Sequence, residues 1–150
     1  MTHYVTRPAV AGVLGIILLV VGLSSRESVA QQPAGAGGAR FTGKQTMLES
    51  AQSTNLRVAR GRFEAGTRSY WHSHDEGQLL FVQEGRARVQ RRGEPLKELA
   101  THASDFTGPK VVHWHGASPA EAAVLTTVAF GGNTQWLEEV TDAQYRGTEK

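Results

Sequence analysis

The apolar residues of this 150-residue chain fall in short segments bounded by glycine, proline or polar turn residues. From Phe41 onward, a helical apolar stripe is found in Trp136–Tyr145, where Trp136, Val140 and Ala143 share one face. The other segments have the length of strands. We predict eight: Lys44–Ser50, Asn55–Phe63, Arg68–His74, Gln78–Gln83, Arg86–Arg91, Leu96–Leu99, Val111–His115 and Ala122–Phe130. Many short strands with frequent turns predict an all-β sandwich or barrel, with a short C-terminal helix.

Two histidines, His72 and His74, are spaced i, i+2, which puts both on one face of a strand. A turn sequence follows them, so that Gln78 can face both from the neighbouring strand. His113 and His115 repeat the spacing and can supply a third imidazole. Three imidazoles and an amide oxygen suit a divalent first-row metal. The alternative is that these are partly buried strand histidines without a metal.

The stretch Gly66–Gly85 reads glycine, five residues, His-x-His, three residues, glutamine, six residues, glycine. This resembles the first motif of the cupin superfamily, in which glutamate usually stands at the place of Gln78. Residues Asp105–His115 resemble the second motif more loosely, since Val111 replaces a usual glycine and no asparagine closes the motif. The resemblance covers Phe41–Tyr145. It implies a single cupin domain over residues 41–150, folded as a double-stranded β-helix (jelly-roll) barrel.

The sequences WHSHDEGQ, HWHGA, FTG at Phe41–Gly43 and WLEEVTDAQY are similar to a narrower group of single-domain bacterial cupins. That group contains the manganese-dependent cupin hydroxynitrile lyases and relatives of carboxymuconolactone-decarboxylase-associated cupins. The resemblance implies one divalent ion per chain, manganese first and iron, nickel or zinc as alternatives. The implied ligands are His72, His74, Gln78 and His113. A neutral glutamine cancels none of the ion's charge, which favours Lewis acidity.

His115 is the predicted catalytic residue. On a regular strand it shares the inward face with His113 and can act as general acid or base. The alternative is that Gly116 marks a bulge and His115 only bonds the backbone. Lyases of this group carry a further histidine on the strand after HWHGA, whereas AAVLTTVAF has only Thr126 and Thr127 as nearest polar groups. This departure puts a cyanohydrin-lyase activity in doubt.

Strand alternation turns Trp71 and Trp114 away from the histidines, as packing or interface residues. The residues Phe63, Leu79 and Phe81 are candidates for apolar lining, although an ordinary core explains them equally well.

Two polar residues near the second motif are not assigned to the site. Asp105 has the sequence context of a turn former. His102 lies in a loop-like stretch, where we expect it to be solvated.

The first thirty residues have the layout of a secretory signal peptide: Arg7, an uncharged apolar run Pro8–Leu23, and the small-x-small site Ser28-Val29-Ala30. We expect export to the periplasm or medium, with an uncleaved membrane anchor as the alternative. Residues 31–40, QQPAGAGGAR, are a predicted flexible leader.

The remaining chain, Gln31–Lys150, carries fourteen basic and thirteen acidic residues, which gives no reason to expect a nucleic-acid partner. A cluster of arginines at Arg86, Arg88, Arg91 and Arg92 is interpreted as a solvated hairpin. The chain has no cysteine, which excludes disulfides and thiolate chemistry.

These observations leave two classes of function. One is an enzyme that uses the metal as Lewis acid on a small hydroxy or carbonyl compound, a lyase or isomerase first and an oxygenase as a variant. The other is a non-catalytic module that binds a small molecule or metal. In either case we expect a small-molecule substrate or ligand as partner, no membrane partner after cleavage, and a homo-oligomer, either dimer or tetramer.

Overall fold

The computed structural model describes residues 40–149, so the predicted signal peptide and all but the last residue of the leader lie outside the described residues. This range contains β1 (Phe41–Thr42), β2 (Gln45–Gln52), β3 (Leu56–Phe63), β4 (Arg68–Ser69), β5 (His72–His74), β6 (Gln78–Gly85), β7 (Ala87–Arg91), β8 (Lys97–Leu99), β9 (Ser104–Thr107), β10 (His113–Ala117), β11 (Ala123–Phe130), β12 (Thr134–Trp136) and α1 (Asp142–Arg146). Within these residues, no helix is long and apolar enough to cross a membrane.

The strands form two sheets, and all their pairings are antiparallel. One sheet has the order β1-β4-β10-β5-β12, with β7 beside β10 and β8 beside β7. The other has the order β2-β3-β11-β6-β9. The predicted all-β jelly roll with a short C-terminal helix is confirmed.

The main core lies between the two sheets, since each sheet contributes alternate side chains to it. It includes Phe63, Leu80, Val82, Leu125, Val89 and Leu99. Burying each large apolar side chain is worth roughly 1.5–3 kcal/mol. This core fixes which side chains of each strand point inward, and therefore which polar residues reach the interior.

A second apolar cluster holds the C-terminal segment against the outer face of the seven-stranded sheet. Trp71, Trp114, Val140 and Tyr145 are buried together, and the Tyr145 hydroxyl donates to the Ala117 carbonyl at 2.7 Å. The two tryptophans thus face away from the neighbouring histidines, as predicted.

The structure corrects three sequence-based expectations about secondary structure. The predicted strand Arg68–His74 is divided into β4 and β5, which pair with different neighbours: β4 with β1, and β5 with β12. Trp136 lies in β12, paired with His72, so the predicted helix Trp136–Tyr145 is wrong in its first half. The strand β9 was not predicted.

Asp105 is not a turn former: it is a buried residue of β9. Its carboxylate accepts bonds from Arg91 at 2.6 Å and Lys97 at 2.7 Å. The arginine cluster is likewise only partly solvated. Arg88 bonds Glu98 at 2.6 Å, and its side chain and that of Arg91 are only 16% and 20% exposed.

Candidate metal centre

Three histidines converge because two short strands lie side by side in the seven-stranded sheet. β5 carries His72 and His74, and β10 places His113 directly opposite His72 in the antiparallel pairing. The His72 ring centroid lies 4.3 Å from that of His113 and 5.1 Å from that of His74. One nitrogen of each ring lies within 4.8 Å of the others. These three buried imidazoles could hold a metal ion.

Gln78 reaches the same point from the opposite sheet, and not from the strand beside β5 as predicted. Its amide nitrogen lies 2.8 Å from His74 Nε2, and its Oε1 lies 3.1 Å from His113 Nε2. Gly77 permits this approach with φ +97°, and a Cβ there would lie 2.6 Å from the Thr107 carbonyl oxygen. Only glycine adopts this conformation without strain.

The outer ring nitrogens define which tautomers are present. His72 Nδ1 donates to the Tyr70 carbonyl at 2.9 Å, and His113 Nδ1 donates to the Val111 carbonyl at 3.0 Å. A neutral imidazole that donates from Nδ1 keeps a lone pair on Nε2. Such backbone contacts are the usual support of metal-bound histidines. His74 Nδ1 lies 3.1 Å from the Thr134 hydroxyl, which can accept its proton in the same way.

The ionisation of the three histidines also suits a cation. Burial, the largest cause in each case, lowers the pKa of His74 and of His113 to about 4, and lowers the pKa of His72 well below its usual value. All three rings are therefore neutral at neutral pH, which is the form that binds a metal.

The contact between Gln78 and His113 is a test of whether an ion fits. His113 Nε2 carries a lone pair, and the Gln78 oxygen that faces it at 3.1 Å also only accepts. If the Gln78 amide is flipped, its nitrogen faces His113 Nε2 and its oxygen faces His74 Nε2. Both contacts are then hydrogen bonds only if His74 carries its proton on Nε2, and in that tautomer His74 Nε2 cannot bind a metal. A cation beside His113 Nε2 and the Gln78 oxygen would turn this contact between two acceptors into a favourable one, so these residues fit a bound metal.

His115 lies beside the three histidines without joining them. Its ring centroid is 5.2 Å from that of His72 and 5.9 Å from that of Phe63. Its Nδ1 is buried and has no hydrogen-bond partner among the described residues. Burial lowers the pKa of His115 to about 3. β10 is paired without interruption through Ala117, so His115 shares the inward face with His113 and Gly116 forms no bulge.

These side chains open onto a cavity of about 100 Å³ between the two sheets. His72, His74, Gln78 and His115 line it on the histidine side, and Arg57, Thr127 and Thr134 are among its other polar lining residues. Its remaining wall is largely apolar and includes Phe63, Leu125 and Trp136. A concave, mostly apolar space with a few polar groups is the usual form of a small-molecule site.

Comparison with known proteins gives the family of this architecture. An (R)-mandelonitrile lyase of Granulicella tundricola is 35% identical over 127 residues, which cover 79% of this chain and 95% of the relative. A cupin-like protein of Thermotoga maritima, of known structure, is 38% identical with a TM-score of 0.67, over 77% of this chain and 94% of that one. The chain belongs to the cupin superfamily. No family model matches it.

More distant structures resemble this cupin in fold alone. An RmlC-like cupin of Methanocaldococcus jannaschii, described as a double-stranded β-helix, has a TM-score of 0.53 at 8% identity, over 61% of this chain and 84% of that one. This supports the jelly-roll architecture.

The lining of the cupin cavity corrects part of the sequence-based prediction. Phe63 lines the cavity, but Phe81 is 39% exposed and Leu79 is absent from the lining. Gln78 points inward, so alternation along β6 turns Leu79 and Phe81 outward. This period-2 pattern was available in the sequence. His102 is exposed, as expected.

Several cavity residues of this cupin were missed from the sequence. Trp136 packs on His72 with ring centroids 4.8 Å apart, and Thr134 contacts His74, both from β12. Arg57, on β3, also lines the cavity. No local signal marks these residues, because each is brought to the site by pairing with a distant strand.

Proposed function

We propose that this cupin is a metal-dependent lyase that acts on a small hydroxy or carbonyl compound. The observation that carries the proposal is the neutral imidazole of His115, which lies beside the three converging histidines and lines one small cavity together with His72 and His74. The name of the 35% identical relative, (R)-mandelonitrile lyase, supports the same class of reaction.

The residues that would hold the ion are His72, His74 and His113 through Nε2, together with the oxygen of Gln78. A divalent ion, for which we propose manganese, would supply Lewis acidity toward a hydroxyl or carbonyl oxygen. Because the four ligands are neutral, none of the ionic charge is cancelled. Four ligands also leave coordination positions free on an ion that prefers six.

His115 is the group that moves the proton. Its Nδ1 has no hydrogen-bond partner among residues 40–149 and can accept the proton of a substrate hydroxyl and later return it. Burial lowers the pKa of His115 to about 3, so His115 is a weak base. A negative charge close to the ring raises its pKa, so an anionic substrate brings His115 nearer to the range in which it works.

On β11, the strand that follows HWHGA, the similar lyases carry a further histidine, whereas this chain has threonine hydroxyls. Thr127 lines the cavity, and its hydroxyl donates to the Ala59 carbonyl at 3.4 Å. A threonine hydroxyl can orient a substrate but is no base at neutral pH. We therefore assign the proton transfer to His115 and substrate contact to Thr127, while the apolar walls exclude water.

The metal part of the proposal is tested by the metal content of the purified protein. We expect about one divalent ion per chain. His72→Ala and His74→Ala remove a ligand and should largely abolish binding, whereas Gln78→Glu keeps an oxygen ligand and should retain metal with weaker Lewis acidity. Metal content of His72→Ala equal to that of the parent would show that the site lies elsewhere.

The catalytic part is tested with mandelonitrile and other small hydroxynitriles, in the presence and absence of oxygen. His115→Ala should keep its metal and lose about 10²–10⁴-fold in rate, the usual contribution of an acid–base group. His102→Ala changes an exposed histidine outside the cavity and serves as the matched control, with unchanged rate. An active His115→Ala with the parent's pH profile contradicts the assignment. Turnover that requires oxygen indicates an oxygenase, and ligand binding without turnover indicates a binding module.

A further inference from the structure

Two arginines stand where the histidine cavity meets a second, outer cavity. The outer cavity measures about 360 Å³ and is lined mainly by polar residues. Arg40 and Arg57 line both cavities, together with Thr134 and Trp136. A molecule that entered the inner cavity from the outer one would therefore pass both guanidinium groups.

Arg57 differs from the other arginines of its strand. Residues 57, 59, 61 and 63 of β3 line the inner cavity, so Arg57 is on the inward face. Arg60 and Arg62 alternate with it on the outward face, and their guanidinium groups lie 3.9 Å from Glu49 and 3.0 Å from Glu64 respectively. Arg57 is half-buried and has no carboxylate partner among residues 40–149. A half-buried cation without a partner is unusual, because the charge is partly desolvated and uncompensated.

Arg40 is held at the entrance by an aromatic contact. Its guanidinium lies 5.3 Å from the centre of the Trp136 ring. The Trp136 ring also packs against His72, with the two ring centroids 4.8 Å apart. The indole therefore connects a cation at the entrance with the histidines inside.

Both charged side chains that line this entrance, Arg40 and Arg57, are positive, so the field from its lining is positive. Within the described part of the chain, neither cavity is lined by an aspartate or glutamate. Low-dielectric walls concentrate such a field and attract anions.

We propose that Arg57, assisted by Arg40, binds the carboxylate of a small carboxylic-acid substrate whose hydroxy or carbonyl end lies at the histidines. The guanidinium offers paired N–H donors that match the two oxygens of a carboxylate. The apolar inner wall then takes up the carbon skeleton. This assignment rests on the proposed function, since it names the class of substrate of the same cavity.

The test uses a pair of probes of equal shape, benzoate and benzamide, titrated calorimetrically into the metal-loaded protein. A charge-assisted contact should make benzoate bind about 10- to 100-fold more tightly than benzamide. Arg57→Gln should reduce this preference nearly to one, and Arg57→Lys should keep part of it, because charge remains without the paired donors. Arg62→Gln, on the outward face of the same strand, is the matched control and should retain the full preference.

The same titration of His72→Ala separates this inference from the proposed metal chemistry. A preference for benzoate that persists in His72→Ala and is lost in Arg57→Gln supports the arginine anchor even if no lyase activity is found. A preference that persists in Arg57→Gln, or that is lost in His72→Ala alone, overturns it, since the carboxylate would then be bound at the histidines. Phenyl phosphate is the third probe: stronger binding of it than of benzoate, dependent on Arg57, overturns the carboxylate assignment in favour of a phosphate ester.

Discussion

The four inward-facing histidines are the side chains whose protonation the fold constrains most. His72 and His113 are each 1% exposed, and His74 and His115 are each 5% exposed. Their rings are in contact, so a proton on one raises the cost of a proton on the next. The cluster is therefore compatible with a folded chain mainly in its neutral form.

This constraint predicts how stability depends on pH. An unperturbed histidine titrates at 6.5, whereas the pKa of His74 and of His113 is about 4 in the fold. Between these values the unfolded chain binds protons that the folded chain does not, so stability is full above the upper value and falls as pH is lowered. Each such histidine contributes about 1.4 kcal/mol per pH unit.

Urea unfolding of the metal-free protein, in the presence of a chelator, measures this dependence. We expect stability to decline from about pH 6.5 to about pH 4, within the interval set by those pKa values. His115→Asn removes one of the buried imidazoles and should give a shallower slope. A stability that is constant over this interval would mean that the cluster accepts protons without cost.

Among the elements, β10 is the one on which the site depends most, because it carries both His113 and His115. Gly116 brings it against β4: a Cβ at this position would lie 2.3 Å from the Thr67 carbonyl oxygen and 2.7 Å from Arg68 Cα. Both are backbone atoms, so they cannot move aside without separating the strands.

Gly116→Ala should therefore displace β10. We expect a loss of about 1–3 kcal/mol in the free energy of unfolding, the usual cost of overpacking, and weaker metal binding. Gly108→Ala is the control, since its Cβ would meet nothing closer than Val111 Cγ2 at 3.8 Å, and it should change stability by no more than about 0.5 kcal/mol. Thermal unfolding and metal titration of both variants test this, and equal behaviour of the two would contradict it.

The elements also show what sequence reasoning can and cannot supply. Period-2 spacing placed His72 and His74 on one face, because that property is local to the strand. The start of α1 was also encoded locally: Thr141 and Gln144 form a capping box, which marks the helix start five residues after Trp136. The position of Trp136 was not encoded locally, since its helical spacing is overridden by pairing of β12 with β5. Gln78 was expected on the strand beside His72 and His74, but β6 lies in the opposite sheet. The sequence near Gln78 does not specify which strands pair.

At the scale of the molecule, the position of the mature N-terminus stays a prediction. The apolar run and the Ser28-Val29-Ala30 site lead us to expect cleavage after Ala30 and a mature chain that begins at Gln31. N-terminal sequencing of exported protein should recover Gln31 and no Met1. Recovery of the full-length chain in the membrane fraction would instead show an uncleaved anchor. The homo-oligomer expected from the sequence is likewise untested.

The stacking of Trp136 on His72 gives the protein an optical reporter of its own cavity. Trp136 lines both cavities, whereas Trp71 and Trp114 are 3% and 0% exposed on the far side of the sheet. A molecule that enters, or a change at His72, alters the surroundings of one indole and leaves the other two in place. Intrinsic fluorescence can thus follow occupancy in real time without a label, and replacing Trp136 by phenylalanine provides the blank.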